Sequence, residues 1–346
     1  MESQPAGRPP RPTLRQVAAL SGLSVKTVSR VLNGEPYVSE ESATRVRTAA
    51  SQLGFRLNVI ASELRSGAAS TIVGLLIGDL ANPFWSAIAR GAEKELRKSG
   101  LRLITASTDE DPALEWSLTQ DMLDRRVRAI LVVPSSEDHA YLDVERRQGL
   151  TVVFLDRPAS NIVADTVLLD NIGGTRAAVD HLVKRGHQRI AFLGDPSRLK
   201  THRERLAGFH DAMSRAGLDV PEEYLALETS DAGVAREAVD RLLALATPPT
   251  ALFAANNWIT AGALRSFTGQ PASQPPALVG FDDLDLGDLL GVTVIAHDPE
   301  EMGRLAAATA VARIKGSDGP MQTIKMPTTL IARGSGERPP PGSARR

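Results

Sequence analysis

The sequence predicts an N-terminal all-α helix-turn-helix segment followed by a two-lobed α/β body with parallel sheets. Residues 13–66 contain short helical patterns and no convincing strand, whereas from Thr71 onward aliphatic, β-branched runs alternate with helical ones. Strands that alternate with helices in this way form parallel sheets that are covered on both faces. Because so many strands would make an unusually wide single sheet, two lobes are expected.

The strand-forming runs recur at intervals that leave room for a helix between most of them. The predicted strands are 72–77, 101–104, 129–133, 152–155, 189–193, 250–253 and 277–281. The predicted helices of the body are 84–99, 113–126, 174–186, 202–217, 232–246 and 257–267. Parallel strands end at the same edge of a sheet, so a small ligand is expected in the cleft outside those ends, between the lobes.

Composition places the segment boundaries and excludes several classes of protein. Both ends, residues 1–12 and 334–346, are rich in Pro, Gly and Arg and are predicted to be disordered tails. Between them we expect a headpiece (13–56), a linker (57–70) and the body (71–333). The chain has no cysteine, which excludes a disulfide framework, a thiolate metal site and a cysteine nucleophile. With no membrane-length apolar run and no secretory signal, a cytoplasmic location without membrane association is expected.

Charge is distributed unevenly along the chain. Residues 1–66 carry nine Lys and Arg and five acids, a net charge of +4, while the whole chain has a net charge of −1. The rest is therefore at −5. A basic end on an acidic body is typical of a chain that binds nucleic acid through one part only.

The basic segment contains two short helices separated by a glycine turn. Thr13 and Gln16 form a predicted capping box, and Gly22 supplies the left-handed residue that ends the first helix. Ser24 caps a second helix from Val25 to about residue 33, and Ser39 caps a third. Such an arrangement is a helix-turn-helix.

The second helix has two chemically different faces at 100° per residue. Val28 and Val31 lie on the side that packs against the first helix, opposite a polar and cationic arc. The members of that arc are Val25, Lys26, Ser29, Arg30 and Asn33. Such a face suits a DNA major groove, where Lys and Arg address guanine edges and Val contacts a thymine methyl. The alternative is a small helical bundle that binds another protein or covers the sheet domain.

The string TLRQVAALSGLSVKTVSRVLN at 13–33 closely resembles the headpiece of LacI/GalR-type transcriptional regulators, and the similarity extends to about residue 333. The resemblance implies base-reading roles for Val25, Lys26 and Arg30. It implies DNA-backbone contacts for Ser24, Thr27, Ser29, Asn33 and Ser39, with Tyr37 near the DNA. Thr13, Leu14 and Asn58 complete the predicted DNA-binding set.

The resemblance also implies a hinge helix at 58–66 that folds on specific DNA. Within it, Leu64 matches a leucine that inserts into the minor groove and kinks the duplex, although ordinary helix packing would also explain it. The hinges of the family usually begin Pro-Asn, whereas this chain has Leu57-Asn58. Without the proline, ordering this segment should cost more conformational entropy.

For the body, the resemblance implies a periplasmic-binding-protein-like fold that senses a small molecule. The predicted effector-binding residues are Asp79, Asn82, Phe84, Trp85, Asp156, Arg157, Arg205, Asn256, Trp258 and Asp282. Arg, Asp and Asn side chains hydrogen-bond pairs of hydroxyls and aromatic rings stack on sugar faces, so a sugar is favoured, with a purine or another metabolite as alternatives. Each of these residues also has a structural alternative as a helix cap or an ion-pair partner.

Two departures from the family bear on the ligand. Asn257 stands where the family usually has Asp, and Ala232 stands where some members have an aromatic residue, which Trp258 could replace. No catalytic motif, metal-binding spacing or phosphate loop stands out, so neither an enzyme nor a cofactor is expected. The prediction is a homodimeric repressor that binds double-stranded operator DNA and a small-molecule effector. The alternatives are an activator and a cytoplasmic sugar-modifying enzyme with an accessory helical domain.

Overall fold

The computed structural model describes residues 12–33, 36, 38–55, 70–268 and 275–342, and the chain divides into two compact units. One unit comprises residues 1–70 and the other residues 71–346. Of the predicted N-terminal tail only Pro12 is described, and the predicted linker and hinge helix lie outside the described residues, apart from Ser70.

The N-terminal unit contains three helices with the predicted caps. They are α1 (Leu14–Ser21), α2 (Val25–Leu32) and α3 (Glu40–Leu53). The capping box at the start of α1 is present, and Gly22 has a φ of 68°, in the left-handed region that favours glycine. The predicted helix-turn-helix is therefore confirmed.

A small apolar core holds these helices together. Val17 of α1, Val28 of α2 and Val46 of α3 are fully buried, with three alanines packed beside them. The arginine side chain of Arg45 donates to the carbonyl oxygen of Ser21 over 2.7 Å and so ties α3 to the end of α1. Burial of Val28 turns the opposite side of α2 outward.

The body contains two sheets, as the repeated strand-helix pattern predicted, and each has six strands, twelve in all against the seven that were predicted. The strands in chain order are β1 (Ile72–Ile77), β2 (Arg102–Ser107), β3 (Ala129–Val132), β4 (Thr151–Asp156), β5 (Asp165–Leu169), β6 (Ile190–Leu193), β7 (Leu225–Ala226), β8 (Ala251–Ala254), β9 (Ala277–Phe281), β10 (Thr293–Ala296), β11 (Thr323–Met326) and β12 (Thr329–Ile331). The first sheet has the order β11-β5-β4-β3-β1-β2 and is parallel throughout. The second has the order β12-β10-β9-β8-β6-β7, with only β12 antiparallel.

Helices cover both faces of each sheet. They are α4 (Pro83–Lys98), α5 (Pro112–Asp124), α6 (Tyr141–Arg147), α7 (Asn171–Lys184), α8 (Lys200–Arg215), α9 (Ala232–Leu243), α10 (Asn257–Thr268) and α11 (Pro299–Ile314). Helices α4–α6 and α11 pack on the first sheet and form lobe 1, while α7–α10 pack on the second and form lobe 2. Every residue of the central strands β3, β6 and β8 is buried, as expected for strands covered on both sides.

The chain crosses between the lobes at three places: from β5 to α7, from β10 to α11, and from β11 to β12. A backbone hydrogen bond and an ion pair join the first and third crossings. The amide of Asp170 donates to the carbonyl of Met326 over 3.1 Å, and the ammonium of Lys325 lies 2.6 Å from the Asp170 carboxylate. Three chain connections therefore join the two lobes.

The predicted disordered tail at 334–346 is wrong for residues 334–342. Ser335 is buried, donating its hydroxyl to the carbonyl of Leu278 and accepting from the amide of Thr293. The carboxylate of Glu337 lies 2.6 Å from the His181 ring. A Pro- and Gly-rich segment shows no apolar periodicity, but here side-chain hydrogen bonds anchor it to lobe 2, which therefore extends past the predicted end at 333.

Among the described residues, no helix combines the length and the apolar character that crossing a membrane requires.

Candidate functional site

The outward face of α2 carries the side chains that were predicted to read DNA. Lys26 and Arg30 are exposed, Val25 is 45% exposed, and Val28 on the opposite side is fully buried. The structure thus places two cations and an apolar side chain on one surface of a helix whose other surface is held by the core. That geometry suits insertion into a major groove.

Most of the predicted backbone-contact residues have local structural roles as well. Thr13, Ser24 and Ser39 are the N-caps of the three helices, with side-chain oxygens that accept from amides in the first turn. The hydroxyl groups of Ser24 and Thr27 are 2.8 Å apart, and the side-chain amide of Asn33 donates to the Ser29 hydroxyl over 3.3 Å. Helix N-termini attract phosphate groups, so these capped ends are compatible with contacts to the DNA backbone.

The remaining members of the predicted set divide into one core residue and three that cannot be placed. Leu14 packs against the headpiece core. Tyr37, Asn58 and Leu64 lie outside the described residues, so their predicted roles stay predictions.

In the body, a cavity of about 430 Å³ opens between the lobes at the carboxyl ends of the strands. All the predicted effector-binding residues line it: Asp79, Asn82, Phe84, Trp85, Asp156, Arg157, Arg205, Asn256, Trp258 and Asp282. We call this cavity the cleft. Its lining comes from the ends of strands in both sheets and from helices α4, α8 and α10, as expected for a cleft at the carboxyl edge of parallel sheets.

Four aspartates in the cleft occupy equivalent positions in the two lobes. Asp79 and Asp195 follow β1 and β6, while Asp156 ends β4 and Asp282 follows β9. Each pair of strands holds the same place in its sheet. Asp156 and Asp282 also share a left-handed backbone, with φ values of 63° and 66°, which is uncommon for a residue other than glycine and frequent at functional sites.

Arg157 and Arg205 are buried against acceptors of the protein. The guanidinium of Arg157 makes two hydrogen bonds to the Glu110 carboxylate, of 2.6 and 2.9 Å, and one to the carbonyl of Pro134. Arg205 donates to the Asn171 side chain over 2.9 Å and to the carbonyl of Ala255. Its guanidinium carbon lies 3.9 Å from the centre of the Phe281 ring, a cation–π contact.

Burial shifts the protonation equilibria of the cleft. Burial raises the pKa of Asp156 and Asp282 above the ordinary value, although nearby arginines oppose this. Burial raises the pKa of Asp195 to about 6 and lowers that of His297, behind the cleft, to about 4. One oxygen each of Asp156 and Asp282 is buried without a hydrogen-bond partner. The Asp282 oxygen lies 3.6 Å from the His297 ring, behind the cleft.

Replacing the Asp195 carboxylate should change how stability depends on pH. The pKa of this carboxyl is about 6 in the folded chain and about 3.9 in the unfolded chain, so between these pH values the folded chain binds more protons. The free energy of unfolding therefore falls as pH rises from about 3.9 to about 6. We expect wild type to gain roughly 1–3 kcal/mol of unfolding free energy relative to Asp195→Asn between pH 7.5 and pH 5. Thermal denaturation of both proteins across this range measures it, and parallel curves would contradict it.

Comparison with known proteins gives two matching domain families. The profile described as bacterial regulatory proteins, lacI family, matches residues 13–58, and that of the periplasmic binding protein-like domain matches residues 179–336. The ribose operon repressor of Bacillus subtilis is 31% identical over 329 residues, which cover 93% of this chain and 97% of the relative. This chain belongs to the LacI family.

Other similar proteins include further repressors and regulators. The transcriptional repressor PurR of Photobacterium profundum is 28% identical to this LacI-family chain, over 93% of this chain and 98% of its own length. The lac repressor dimer bound to operator and the anti-inducer ONPF has a TM-score of 0.78 and 25% identity, covering 94% of this chain and 99% of its own. A complex of the regulator CelR with cellobiose has a TM-score of 0.69 and 28% identity, covering 94% of this chain and 100% of its own.

Asn257, which stands where the family usually has Asp, has a structural role in this LacI-family protein. The side-chain amides of Asn82 in lobe 1 and Asn257 in lobe 2 are both buried and form two reciprocal hydrogen bonds, of 2.7 and 3.1 Å. An aspartate at 257 could accept from Asn82 but could not donate back. The neutral pair therefore joins the lobes across the cleft without adding another carboxylate.

Several cleft residues were missed from the sequence. They include Asp109, Glu110, Asp195, Arg198, Thr201 and Ser230. A comparison of the two halves would have found Asp195, because Gly194-Asp195 after β6 repeats Gly78-Asp79 after β1. The pairing of Glu110 with Arg157 had no such signal, since it joins residues from different loops.

Proposed function

We propose that this LacI-family protein is a transcriptional repressor that binds operator DNA through α2 and whose operator affinity is controlled by a small polyhydroxylated ligand in the cleft. The observation that carries the proposal is the outward placement of Val25, Lys26 and Arg30 on α2, opposite the buried Val28. The relatives named as repressors support the same reading for this chain. A regulator of this kind acts in the cytoplasm, where the DNA is.

The chemistry of the cleft supports a sugar as the ligand. Buried carboxylates and guanidinium groups from both lobes supply acceptors and donors for hydroxyl groups. The rings of Phe84 and Trp85 meet edge to face, 4.5 Å apart, and Trp258 adds a third aromatic wall. Relatives named for ribose and cellobiose fit this choice. We propose that the cleft binds its ligand without transforming it, as in a regulator and unlike in an enzyme.

A ligand in this position can control DNA binding because it contacts both lobes. It stabilises the lobe orientation in which its contacts are best, and it shifts operator affinity only if it binds the two orientations with different free energies. We propose that residues 57–70 transmit this change to the headpiece.

A gel shift tests the proposed function. The full-length protein is titrated onto the DNA upstream of its own gene at several salt concentrations, with scrambled DNA as the control. Sequence-dependent binding that weakens as salt rises is expected from a headpiece that contacts phosphates and bases. Adding sugars and nucleosides one at a time then identifies the effector and shows whether it releases or promotes binding. Absence of DNA binding together with turnover of a sugar would contradict the proposal.

We further propose that a two-fold dimer reads a two-fold operator, with an exposed leucine cluster as part of the dimer interface. Leu286, Leu289 and Leu290 are each more than half exposed within one turn-rich segment that follows β9. Such an apolar cluster on a monomer indicates a protein partner, and the lac repressor structure similar to this chain is a dimer.

The substitution Leu289→Lys should shift the protein toward monomer, because two copies of a charge would meet at a two-fold interface. Operator affinity should fall by about tenfold or more, since the second headpiece no longer adds to the binding of the first. Light scattering coupled to gel filtration and the gel shift measure both effects. Val163→Lys, at a separate position that is 71% exposed, is the control and should leave both unchanged. A dimeric Leu289→Lys protein would contradict the assignment.

A further inference from the structure

The cleft is lined by more carboxylates than cations, six against three arginines. Two of the arginines already face carboxylates of the lining. The Arg157 guanidinium is bonded to Glu110 over 2.6 Å, and the Asp282 carboxylate lies 3.9 Å from the Arg205 guanidinium. The third, Arg198, is exposed, so water and salt screen its charge. The carboxylates that are left over set the charge that a ligand meets.

Three carboxylates of the lining, Asp79, Asp109 and Asp195, form no ion pair within the described part of the chain. In each of them Oδ1 accepts one hydrogen bond, from a backbone amide, a serine hydroxyl and the Asn256 side-chain amide respectively. Their Oδ2 atoms accept none from the described residues and are not sealed off from solvent. Each of the three side chains therefore has one oxygen that a ligand can reach.

The topology brings these three side chains to the same end of the cleft. Asp79 follows β1 and Asp109 follows β2, which are neighbours in the first sheet, and Asp195 follows β6 in the second. The crossings between the lobes involve β5, β10 and β11, which lie toward the opposite ends of the sheets. The end of the cleft away from the crossings therefore carries an excess of negative charge.

Asp195 is the member of this group that the fold holds in a fixed position. Asn256 donates to its carboxylate and itself accepts from the amide of Ile259 over 2.7 Å, at the start of α10. Burial raises the pKa of Asp195 to about 6, although the charges of Arg205 and Arg157 oppose this. A cation in contact with the carboxylate would favour its ionised form.

The arrangement favours an organic cation over a metal ion. Among the residues that the structure describes, no three His, Cys, Asp or Glu side chains are grouped so that they could hold a metal. An ammonium group has three donors and needs only one or two carboxylate acceptors. The rings of Phe84, Trp85 and Trp258 line the same cavity, and aromatic faces attract both sugar rings and cations.

We propose that the cleft selects a sugar that carries an amino group and that Asp195 binds its ammonium. The inference rests on the proposed sugar-binding role of the cleft and specifies the charge of the sugar. A neutral sugar leaves the three carboxylates without a counter-charge. An ammonium forms a charge-assisted hydrogen bond with Asp195 and is attracted by Asp79 and Asp109 as well.

Calorimetric titration of the full-length protein at pH 7 and constant ionic strength tests this selection. Three matched pairs are compared: glucosamine with glucose, galactosamine with galactose, and mannosamine with mannose. At least one amino sugar should bind about tenfold or more tightly than its parent sugar, because a hydrogen bond to a charged group is gained. If no amino sugar binds more tightly than its parent, the proposal is overturned.

Asp195→Asn tests the assigned contact. Asparagine keeps the size of the side chain and an oxygen that can accept from Asn256, but it removes the charge, so most of the advantage of the amino sugar should be lost. Asp219→Asn is the matched control, because Asp219 is an exposed aspartate of lobe 2 outside the cleft, and it should retain the advantage. Circular dichroism confirms that both variants are folded. Equal ratios of amino-sugar to parent-sugar affinity in the two variants would overturn the role of Asp195.

Failure of this inference differs from failure of the proposed function. A parent sugar that binds as tightly as its amino counterpart overturns the selection for an amine and leaves a sugar-controlled repressor in place. Absence of operator binding in the gel shift contradicts the repressor but does not change the ratio of the two sugar affinities, which is measured without DNA.

Discussion

Arg30→Ala should remove most of the operator preference of this LacI-family protein while leaving its body folded. Arg30 is exposed on the outward face of α2, where its guanidinium can make paired hydrogen bonds to a guanine edge. Loss of such a contact costs about 1–3 kcal/mol, so operator affinity should fall about 10- to 100-fold. Affinity for unrelated DNA should fall much less, because one phosphate-attracting charge among several is lost.

The quantity to measure is the ratio of the affinity for operator DNA to the affinity for scrambled DNA. Fluorescence anisotropy with both duplexes at two salt concentrations gives it. Arg30→Lys separates charge from geometry, since it keeps the cation but cannot form the planar fork, and should lose selectivity while retaining non-specific affinity. Arg47→Ala is the matched control: Arg47 is an exposed cation of the same unit, 3.8 Å from Glu40, on α3. It should affect both duplexes alike. If Arg30→Ala left the ratio of operator to scrambled affinity unchanged, Arg30 would not contact the bases.

Arg205→Ala should weaken the response to the effector strongly and also lower the stability of the body. The Arg205 side chain is almost fully buried and joins Asn171, Ala255 and the Phe281 ring, with the Asp282 carboxylate 3.9 Å away. Removing it deletes a charged donor for the ligand and leaves buried acceptors without a partner. We expect effector affinity to fall about 100-fold, and stability to fall by about 2–4 kcal/mol.

The measurement is the concentration of effector that changes operator binding, together with the melting temperature. Operator binding without effector should persist, because the headpiece forms a separate unit. Arg215→Ala removes an arginine from the same helix, α8, where it is exposed and pairs with Asp180 and Asp211, and should change neither quantity substantially. Arg205→Lys should recover part of the stability but not the response, since it lacks the planar fork. A normal dose curve for Arg205→Ala would show that Arg205 is only structural.

The sequence by itself determined the headpiece and the wall of the cleft. Thr13, Ser24 and Gly22 act within one helical turn, so local chemistry decides where α1 and α2 begin and end. Helical periodicity then placed Val28 on the packed face of α2 and Arg30 on its outward face. In the body, strand ends meet at one edge of a parallel sheet, which predicted the cleft, and the resemblance to LacI/GalR-type regulators supplied its lining residues.

Only the tertiary structure decided how those side chains are paired and charged. Asn82 and Asn257 are 175 residues apart and meet because the lobes face each other, and Glu110 reaches Arg157 from a different loop. The strands β10 and β12 were not predicted because four and three residues hold too little pattern. The segment at 334–342 is rich in Pro and Gly and has no apolar periodicity, so its anchoring was not predicted either. These pairs depend on long-range packing, which brings together residues that are far apart in the sequence.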